Sequence, residues 1–342
     1  MCLLVSSFTG CGSKNESPEE LSFFAMDTYM TLKVYRDGAT KEEAWSALKL
    51  AKAEILRLEA LLSVNDPSSE VAALNRGETV EKASADLVRI LQLATELYKR
   101  SDGRYDLSVY PLLVAWGFTT DKGLAMPTAT AIEEALRQID FSKVSMVKSS
   151  EGHTVKTNGG KLDLGSIAKG YAGQKAIEIL KAQGFESAII ILGGNVQTLG
   201  KKPNGSGFTV GIADPSSPDE LITTVSTADL DRIFADKNGD TPESYAVVTS
   251  GTYQRNFTAS GKLYHHIMDV ATGFPCENGL TSVTVICGSG GLADGLSTTL
   301  FLLGYEGAME YYREYGGFEA IFITDDGEML KTDGLASHEV KK

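Results

Sequence analysis

Two hydrophobic periods take turns along this chain. From Phe23 to Tyr35 apolar and polar positions alternate, with Met, Thr, Tyr and Val prominent, as in a half-buried strand. After Thr40 the period lengthens: Ala44, Leu48, Ala51, Ile55, Leu58 and Leu62 recur at steps of four and three. That spacing lines one face of a helix, capped by Thr40, and turns the face towards a core. Ser84 opens a second helix with Leu87, Leu91, Ala94 and Tyr98 on one side. A third follows Pro127, and a fourth spans about Ser166 to Gln183. Ala188-Ile189-Ile190-Ile191-Leu192 has no polar position and predicts a strand buried on both faces. It runs into Gly193-Gly194-Asn195, where the backbone must approach something closely. Thr209 to Ile212, Ala246 to Thr249, Leu263 to Met268 and Ser282 to Cys287 read as further strands. Helices near Ala293 to Leu303 and Gly307 to Arg313 precede a last strand, Ala320 to Thr324.

Strands follow one another in hairpin fashion, helices are scattered among them, and strict βαβ alternation is absent. The pattern predicts an α+β fold of mixed or antiparallel sheets with packed helices. A chain of 342 residues can bury one large core or two modest ones. With no internal repeat and no low-complexity linker after residue 20, it reads as one domain over 21–338. The first twenty residues stand apart. Cys11 in Phe8-Thr9-Gly10-Cys11 follows the apolar Leu3-Leu4-Val5, as in a lipobox whose cysteine is acylated after signal cleavage, and Gly12 to Glu20 reads as a polar tether. The start lacks the basic residues of a full signal peptide. No other run approaches the ~18 apolar residues of a membrane span, so membrane contact is expected through lipid on Cys11 alone.

Composition narrows the partners. A net charge of −13, without clustered Lys and Arg, argues against nucleic acid as a partner. The four cysteines, Cys2, Cys11, Cys276 and Cys287, form no C-x-x-C pair and no disulfide framework. Cys276 and Cys287 are expected as separate thiols, Cys287 within a strand.

Three places carry chemistry. In Leu162-Asp163-Leu164-Gly165-Ser166-Ile167-Ala168-Lys169-Gly170-Tyr171 a short apolar stretch bearing an acid enters a glycine turn, and a helix opens with small residues and a lysine. Unpaired N–H groups and the helix dipole make such an end attractive to phosphate. It is not a P-loop, because Tyr171 stands where the lysine belongs, and no complete G-x-G-x-x-G occurs in the chain. Asp294 and Thr298, four apart at the start of a helix, bring a carboxylate and a hydroxyl to one face. Such a pair suits a hard cation such as Mg²⁺ with water and phosphate completing the shell, and an aspartate at a helix start equally serves as a cap. His265 and His266 are neighbours in an expected strand and so face opposite sides; one of them can take a proton from a hydroxyl near neutral pH, with Asp269 placed to orient it.

These segments, in this order, resemble the ApbE family, the FAD:protein FMN transferases. The glycine turn is similar to the family's D-L-G-G-I-A-K-G-Y-A. Met26-Asp27-Thr28 resembles M-G-T, and Leu62-Ser63-Val64-Asn65 with Ser69-Glu70 and Leu74-Asn75 resembles S-T-Y/W…S-E…N. Gly103 to Ser108 resembles G-x-F-D-x-T and Trp116-Gly117-Phe118 matches W-G-F. Leu192 to Asn195, Thr249 to Arg255, His266 to Asp269 with Thr272-Gly273, and Ala293 to Thr298 follow in family order. The resemblance covers about Phe24 to Gly304. It implies an enzyme that moves FMN from FAD to a Ser or Thr of a client flavoprotein and releases AMP, and it implies clients of the membrane-bound respiratory or electron-transfer kind. By position, Met26, Asn65, Asp106, Leu107, Ser108, Asp163, Lys169 and Ile267 would contact the flavin nucleotide. The carbonyl of Ser166 with the side chains of Asp294 and Thr298 would hold Mg²⁺, and His266 would be the base. With the lipobox, this places the enzyme outside the cytoplasm, lipid-anchored to a bacterial cell membrane. Two departures stand out: Asp27 replaces a glycine, and Asn65 replaces an aromatic that would stack on flavin, which favours some FAD hydrolysis. The competing readings are a metal-dependent FAD pyrophosphatase giving FMN and AMP, and a lipoprotein that binds FAD without chemistry.

Overall fold

The alternating run at Phe23–Tyr35 folds back on itself. In the computed structural model, which describes residues 17–119, 123–238 and 241–336, strand β1 is Glu19–Ala25 and strand β2 is Thr28–Val34, paired antiparallel. The two turn residues between them, Met26 and Asp27, both have positive φ, 47° and 59°, the primed-turn geometry that suits the twist of a hairpin. No glycine marks this turn, and aspartate tolerates the left-handed region well enough to occupy it, so the alternation runs through the bend unbroken. β1 also takes in Glu19 and Glu20, the last residues of the expected tether. Cys2, Cys11, the lipobox and His338 lie outside the described residues.

Six more strands extend this hairpin into one sheet: β3, Ala188–Leu192; β4, Asn195–Leu199; β5, Ser244–Gly251; β6, Leu280–Cys287; β7, Glu319–Thr324; and β8, Met329–Lys331. They lie side by side in chain order and every neighbouring pair is antiparallel. The sheet thus joins the two ends of the described chain in one α+β domain. Four longer helices matter for the site: α1, Lys41–Leu62; α2, Ala85–Arg100; α3, Ala168–Ala182; and α4, Gly290–Tyr315. Thr40 caps α1 in a reciprocal capping box with Glu43, and Ser84 caps α2. The six stripe residues of α1 are all buried and join the main core, where α1, α3 and α4 pack together. On the opposite face of the sheet, a hairpin of Thr209–Asp214 and Ser217–Ser226 and a helix, Thr227–Asn238, cover Val247, Ile286, Ile321 and Ile323. A third, smaller cluster gathers Leu112, Trp116, Phe118, Ile132, Tyr264 and Met268.

Several local expectations need correction. β3 is fully buried only at Ala188, Ile190 and Leu192; Ile189 and Ile191 face the thinner cover and are half-buried. The strand expected over Leu263–Met268 is two short ones, Lys262–His265 and Met268–Asp269. The helix expected from Ser166 starts at Ala168. The two expected C-terminal helices are the halves of α4, broken at Gly304 with φ 71° and ψ 174°. There Asn278 Nδ2 donates to the Phe301 carbonyl at 2.5 Å, satisfying an oxygen the break leaves free. Cys276 and Cys287 are separate buried thiols, Cys287 at the end of β6.

Candidate active site

The glycine turn is built around Leu164 and Asp163. The Leu164 carbonyl accepts from Ile167 N at 3.0 Å and Ala168 N at 2.9 Å. Asp163 Oδ1 accepts from Gly165 N at 2.8 Å, a side-chain turn that aspartate forms readily. In a regular helix the next bond would run from Gly170 N to the carbonyl of Ser166, four residues back. Instead Gly170 N donates to Asp294 Oδ2 at 2.7 Å, and the Ser166 carbonyl accepts no hydrogen bond from any described residue.

That diversion depends on two glycines. A Cβ on Gly170 would lie 2.1 Å from the Gly290 carbonyl oxygen and 2.5 Å from Asp294 Cβ; one on Gly290 would lie 2.4 Å from the Gly170 oxygen. Only glycine lets α3 and α4 cross so closely. Beneath the crossing, Gln197 Nε2 on β4 donates to the Gly170 carbonyl at 2.8 Å and to Asn195 Oδ1 at 3.1 Å. Asp294 is buried. Burial raises its pKa against the pull of Lys169 and the Gly170 N–H, and its Oδ1 receives no hydrogen bond from a described residue. It does not cap α4, because Ser289 does. Thr298, one turn on, has its hydroxyl 3.0 Å from Ser250 Oγ, which also lies 2.7 Å from Ser297 Oγ. A buried carboxylate with an open oxygen, a hydroxyl and an uncommitted carbonyl suit a small hard cation that keeps places for water and phosphate. Among the described residues no three His, Cys, Asp or Glu side chains cluster, so a thiolate- or imidazole-rich metal centre is not present there.

The histidines separate clearly, although not by strand alternation, since the strand stops at His265. His265 is buried; its Nε2 donates to the Cys276 carbonyl at 3.1 Å and its Nδ1 accepts from Ile267 N at 3.3 Å. Burial pushes its pKa down to about 4. His266 Nδ1 lies 3.2 Å from the Arg255 carbonyl oxygen. An oxygen of that kind only accepts, so Nδ1 carries the proton and Nε2 presents a lone pair. Burial first, then the charges of Arg255 and Lys169, push the His266 pKa down to about 3.

Lys169 links these groups. Its Nζ is 3.3 Å from the Gly165 carbonyl oxygen, and its charge acts on Asp163, Asp294 and His266 alike. Burial raises the Asp163 pKa; the Gly165 N–H, Arg255 and Lys169 oppose this, and Asp27 adds to it. Asp27 therefore stands near Asp163, at the tip of the first hairpin, where Glu59 Oε1 accepts from Met26 N at 2.5 Å. The second hairpin tip leans on the first: a Cβ on Gly193 would lie 2.7 Å from Thr28 Oγ1, and one on Gly194 2.7 Å from Gln254 Nε2. The close approach expected at Gly193-Gly194 is to these residues.

The remaining candidates frame the site. Asp106 Oδ1 accepts from Ser108 N and Oγ at 2.6 and 2.5 Å, Asp106 Oδ2 from Phe141 N at 3.2 Å, and Ser108 Oγ from Asp140 N at 2.9 Å. Asp106, Leu107 and Ser108 are buried, and the Leu107 carbonyl accepts from Asp163 N at 2.8 Å. Ile267 is buried with both main-chain groups committed, its carbonyl to Cys276 N at 2.9 Å. Asn65 is exposed, its N–H turned to Ser63 Oγ at 3.1 Å. The sequence assigned no role to Glu59, Tyr105, Ser250 or Arg255. The last two sit in the Thr249–Arg255 motif, where the motif itself was the available signal.

The family model of the ApbE family matches residues 26–322. The FAD:protein FMN transferase of Treponema pallidum is 32% identical over 309 residues, covering 86% of this chain and 81% of that protein. The one from Klebsiella pneumoniae is also 32% identical, covering 89% of each chain. Among solved structures, the ApbE protein of Thermotoga maritima superposes with a TM-score of 0.81 at 27% identity, covering 95% of this chain and 100% of its own.

Proposed function

The chain belongs to the ApbE family, and from that premise we propose how it works. It is a transferase that moves FMN from FAD to a client flavoprotein. In the division of labour we assign, the FAD diphosphate lies over the start of α3, where the amide of Lys169 is not used by the helix and the Lys169 ammonium adds positive charge. Met26 and the exposed Asn65 border the flavin half. Asp163 is held for its contact by the Leu107 carbonyl, and the Asp106–Ser108 turn and Ile267 keep that frame rigid. Ser166 through its carbonyl, with Asp294 and Thr298, would hold Mg²⁺; bound there, the ion neutralises charge on the phosphate oxygens. The client's Ser or Thr hydroxyl loses its proton to His266 Nε2 while its oxygen bonds to the phosphorus of the FMN half. The bond from that phosphorus to the AMP oxygen breaks, and AMP leaves.

The open Nε2 of His266 carries this reading, because a protein that only stores FAD needs no base. The exposed Asn65 supports a second one: without an aromatic to stack on the ring, water competes with the client and some FAD is hydrolysed. Incubation of the enzyme with FAD, Mg²⁺ and a client peptide, followed by mass spectrometry, separates the readings. An FMN adduct is expected, with slower AMP release when the client is left out. AMP and FMN without any adduct would select the pyrophosphatase, and unchanged FAD the binder. We further propose that Cys11 is lipidated and that the tether holds the enzyme at the outer face of the cell membrane, near membrane-bound clients. Cys11→Ser is then expected to move the protein from the membrane fraction to the soluble one. A variant that stays in the membrane would end the anchoring proposal. Among the described residues no helix is long and apolar enough to cross a membrane.

A further inference from the structure

The buried phenol of Tyr105 has a hydrogen-bond partner that the reaction does not explain. Its oxygen lies 2.9 Å from Ser166 Oγ, while Tyr105 as a residue is 2% exposed. Ser101 Oγ accepts from Tyr105 N at 3.0 Å, fixing where the ring begins. Across from Ser166 the phenol meets α4. A Cβ on Gly295 would stand 3.5 Å from the phenol oxygen and 2.4 Å from Leu97 Cδ1 of α2, so the backbone of α4 passes close by with no spare room. The ring therefore fills the gap between the turn whose Ser166 carbonyl is uncommitted and the turn of α4 that carries Asp294.

We propose that the Tyr105–Ser166 hydrogen bond is a positioning pair that holds the main-chain carbonyl of Ser166 level with Asp294 and Thr298, and so sets the affinity of the site for a small divalent cation. The proposal rests on the metal reading above. The physical need follows from the turn. The Ser166 carbonyl belongs to the peptide that joins Ser166 to Ile167; its N–H is tied to the Leu164 carbonyl at 3.0 Å, while the helix bond that would hold the carbonyl oxygen itself is spent on Asp294. The Ser166 side chain, held by Tyr105 at 2.9 Å, fixes the other end of that peptide at the Ser166 Cα. Mg²⁺ demands near-octahedral geometry at ~2.0–2.1 Å, so a carbonyl free to swing binds it less well than one held still. Neither side chain touches the ion in this arrangement; both act through the carbonyl.

Mn²⁺ serves as the probe, titrated by electron paramagnetic resonance with ADP present to supply phosphate oxygens without a cleavable flavin. Tyr105→Phe and Ser166→Ala are each expected to weaken Mn²⁺ binding ~10-fold, the usual scale for groups that support a metal ligand. The double variant is expected to be no weaker than ~10-fold, because all three break the same bond. Ser166→Ala acts from the half-exposed side and keeps the test open should Tyr105→Phe perturb folding, which thermal midpoints of the metal-free proteins report. A purely structural role would lower those midpoints and leave metal affinity alone. Affinities within ~2-fold of the parent in both single variants, or effects that multiply to ~100-fold in the double, would overturn the pair. A parent enzyme that binds no Mn²⁺ would instead remove the metal reading, and the pair with it. That result is distinct from a parent that binds and variants that do not differ.

Discussion

At His265 both ring nitrogens are spent, one on the Cys276 carbonyl and one on the Ile267 N–H, whereas at His266 only Nδ1 is. The first histidine is thus part of the frame and the second is left able to accept a proton. His266→Ala is expected to slow FMN transfer ~10²–10⁴-fold while FAD binding, followed by flavin fluorescence, is retained. Full transfer by this variant would remove the base. The pH profile carries a sign of its own. An ordinary imidazole, with a pKa of 6.5, loses its basic form as pH falls below that value; here burial pushes the His266 pKa down to about 3, so the basic form persists through mild acid. Transfer measured as kcat/KM is expected to show no limb near 6.5, and a half-maximal point there would contradict the burial argument. The sequence pointed to His266 through its motif, but period-two alternation gave the wrong reason. What selects His266 is the Arg255 carbonyl, contributed from across the short hairpin of Asn256–Ala259 and Lys262–His265, and no local pattern records which carbonyl a ring will meet.

Among elements, the decisive contact is the crossing of α3 and α4. It turns a helix amide towards Asp294 and leaves the Ser166 carbonyl open, so the proposed metal site is a product of how two helices pack. Gly170→Ala tests this, because the added methyl would meet the Gly290 oxygen at 2.1 Å. The helices must then part, at ~1–3 kcal/mol for an overpacked contact, and turnover should need more Mg²⁺. Urea denaturation measures the first effect and a Mg²⁺ titration of turnover the second. A variant with unchanged midpoint and unchanged Mg²⁺ requirement would show that the crossing has slack. The starts of α1 and α2 were legible because Thr40 and Ser84, with their apolar stripes, are local signals. The start of α3 was not, because Ile167 provides no side-chain cap and the boundary is set by Asp294, 124 residues away. The first hairpin was hidden for a related reason: its turn is held by Glu59 on α1, and neither of its residues is a glycine.

Across the whole molecule, the site lies where two separate hydrophobic clusters meet. Ser166, Lys169 and Asp294 hang from the main core, whose members include Ile167, Ala168 and Ala293. His266 is placed by Arg255, whose guanidinium donates to the Phe118 carbonyl, and Phe118 belongs to the small cluster around Trp116. The Phe118 ring also stands edge-on to His266 at 6.3 Å. The proposed metal and diphosphate groups therefore rest on the main core, while the proposed base, beside Ile267 of that core, is held from its other side by the small cluster. The anchor of the second is Trp116, fully buried, with Nε1 donating to the Gly273 carbonyl at 3.0 Å and its ring against Phe257, Tyr264 and Phe274. Trp116→Ala would cost the small cluster ~3–5 kcal/mol, more than so few residues can absorb, while the eight-stranded sheet and its helices keep their own contacts. The expected outcome is a protein that binds Mn²⁺ and FAD close to normally yet transfers FMN ~10²-fold more slowly, the scale of a base displaced by about an ångström. Far-UV circular dichroism with Mn²⁺ and FAD titrations would establish the first half, and mass spectrometry of the client the second. If metal binding and transfer fell together, the two clusters would be one cooperative unit, and the separation of binding from base placement would fail.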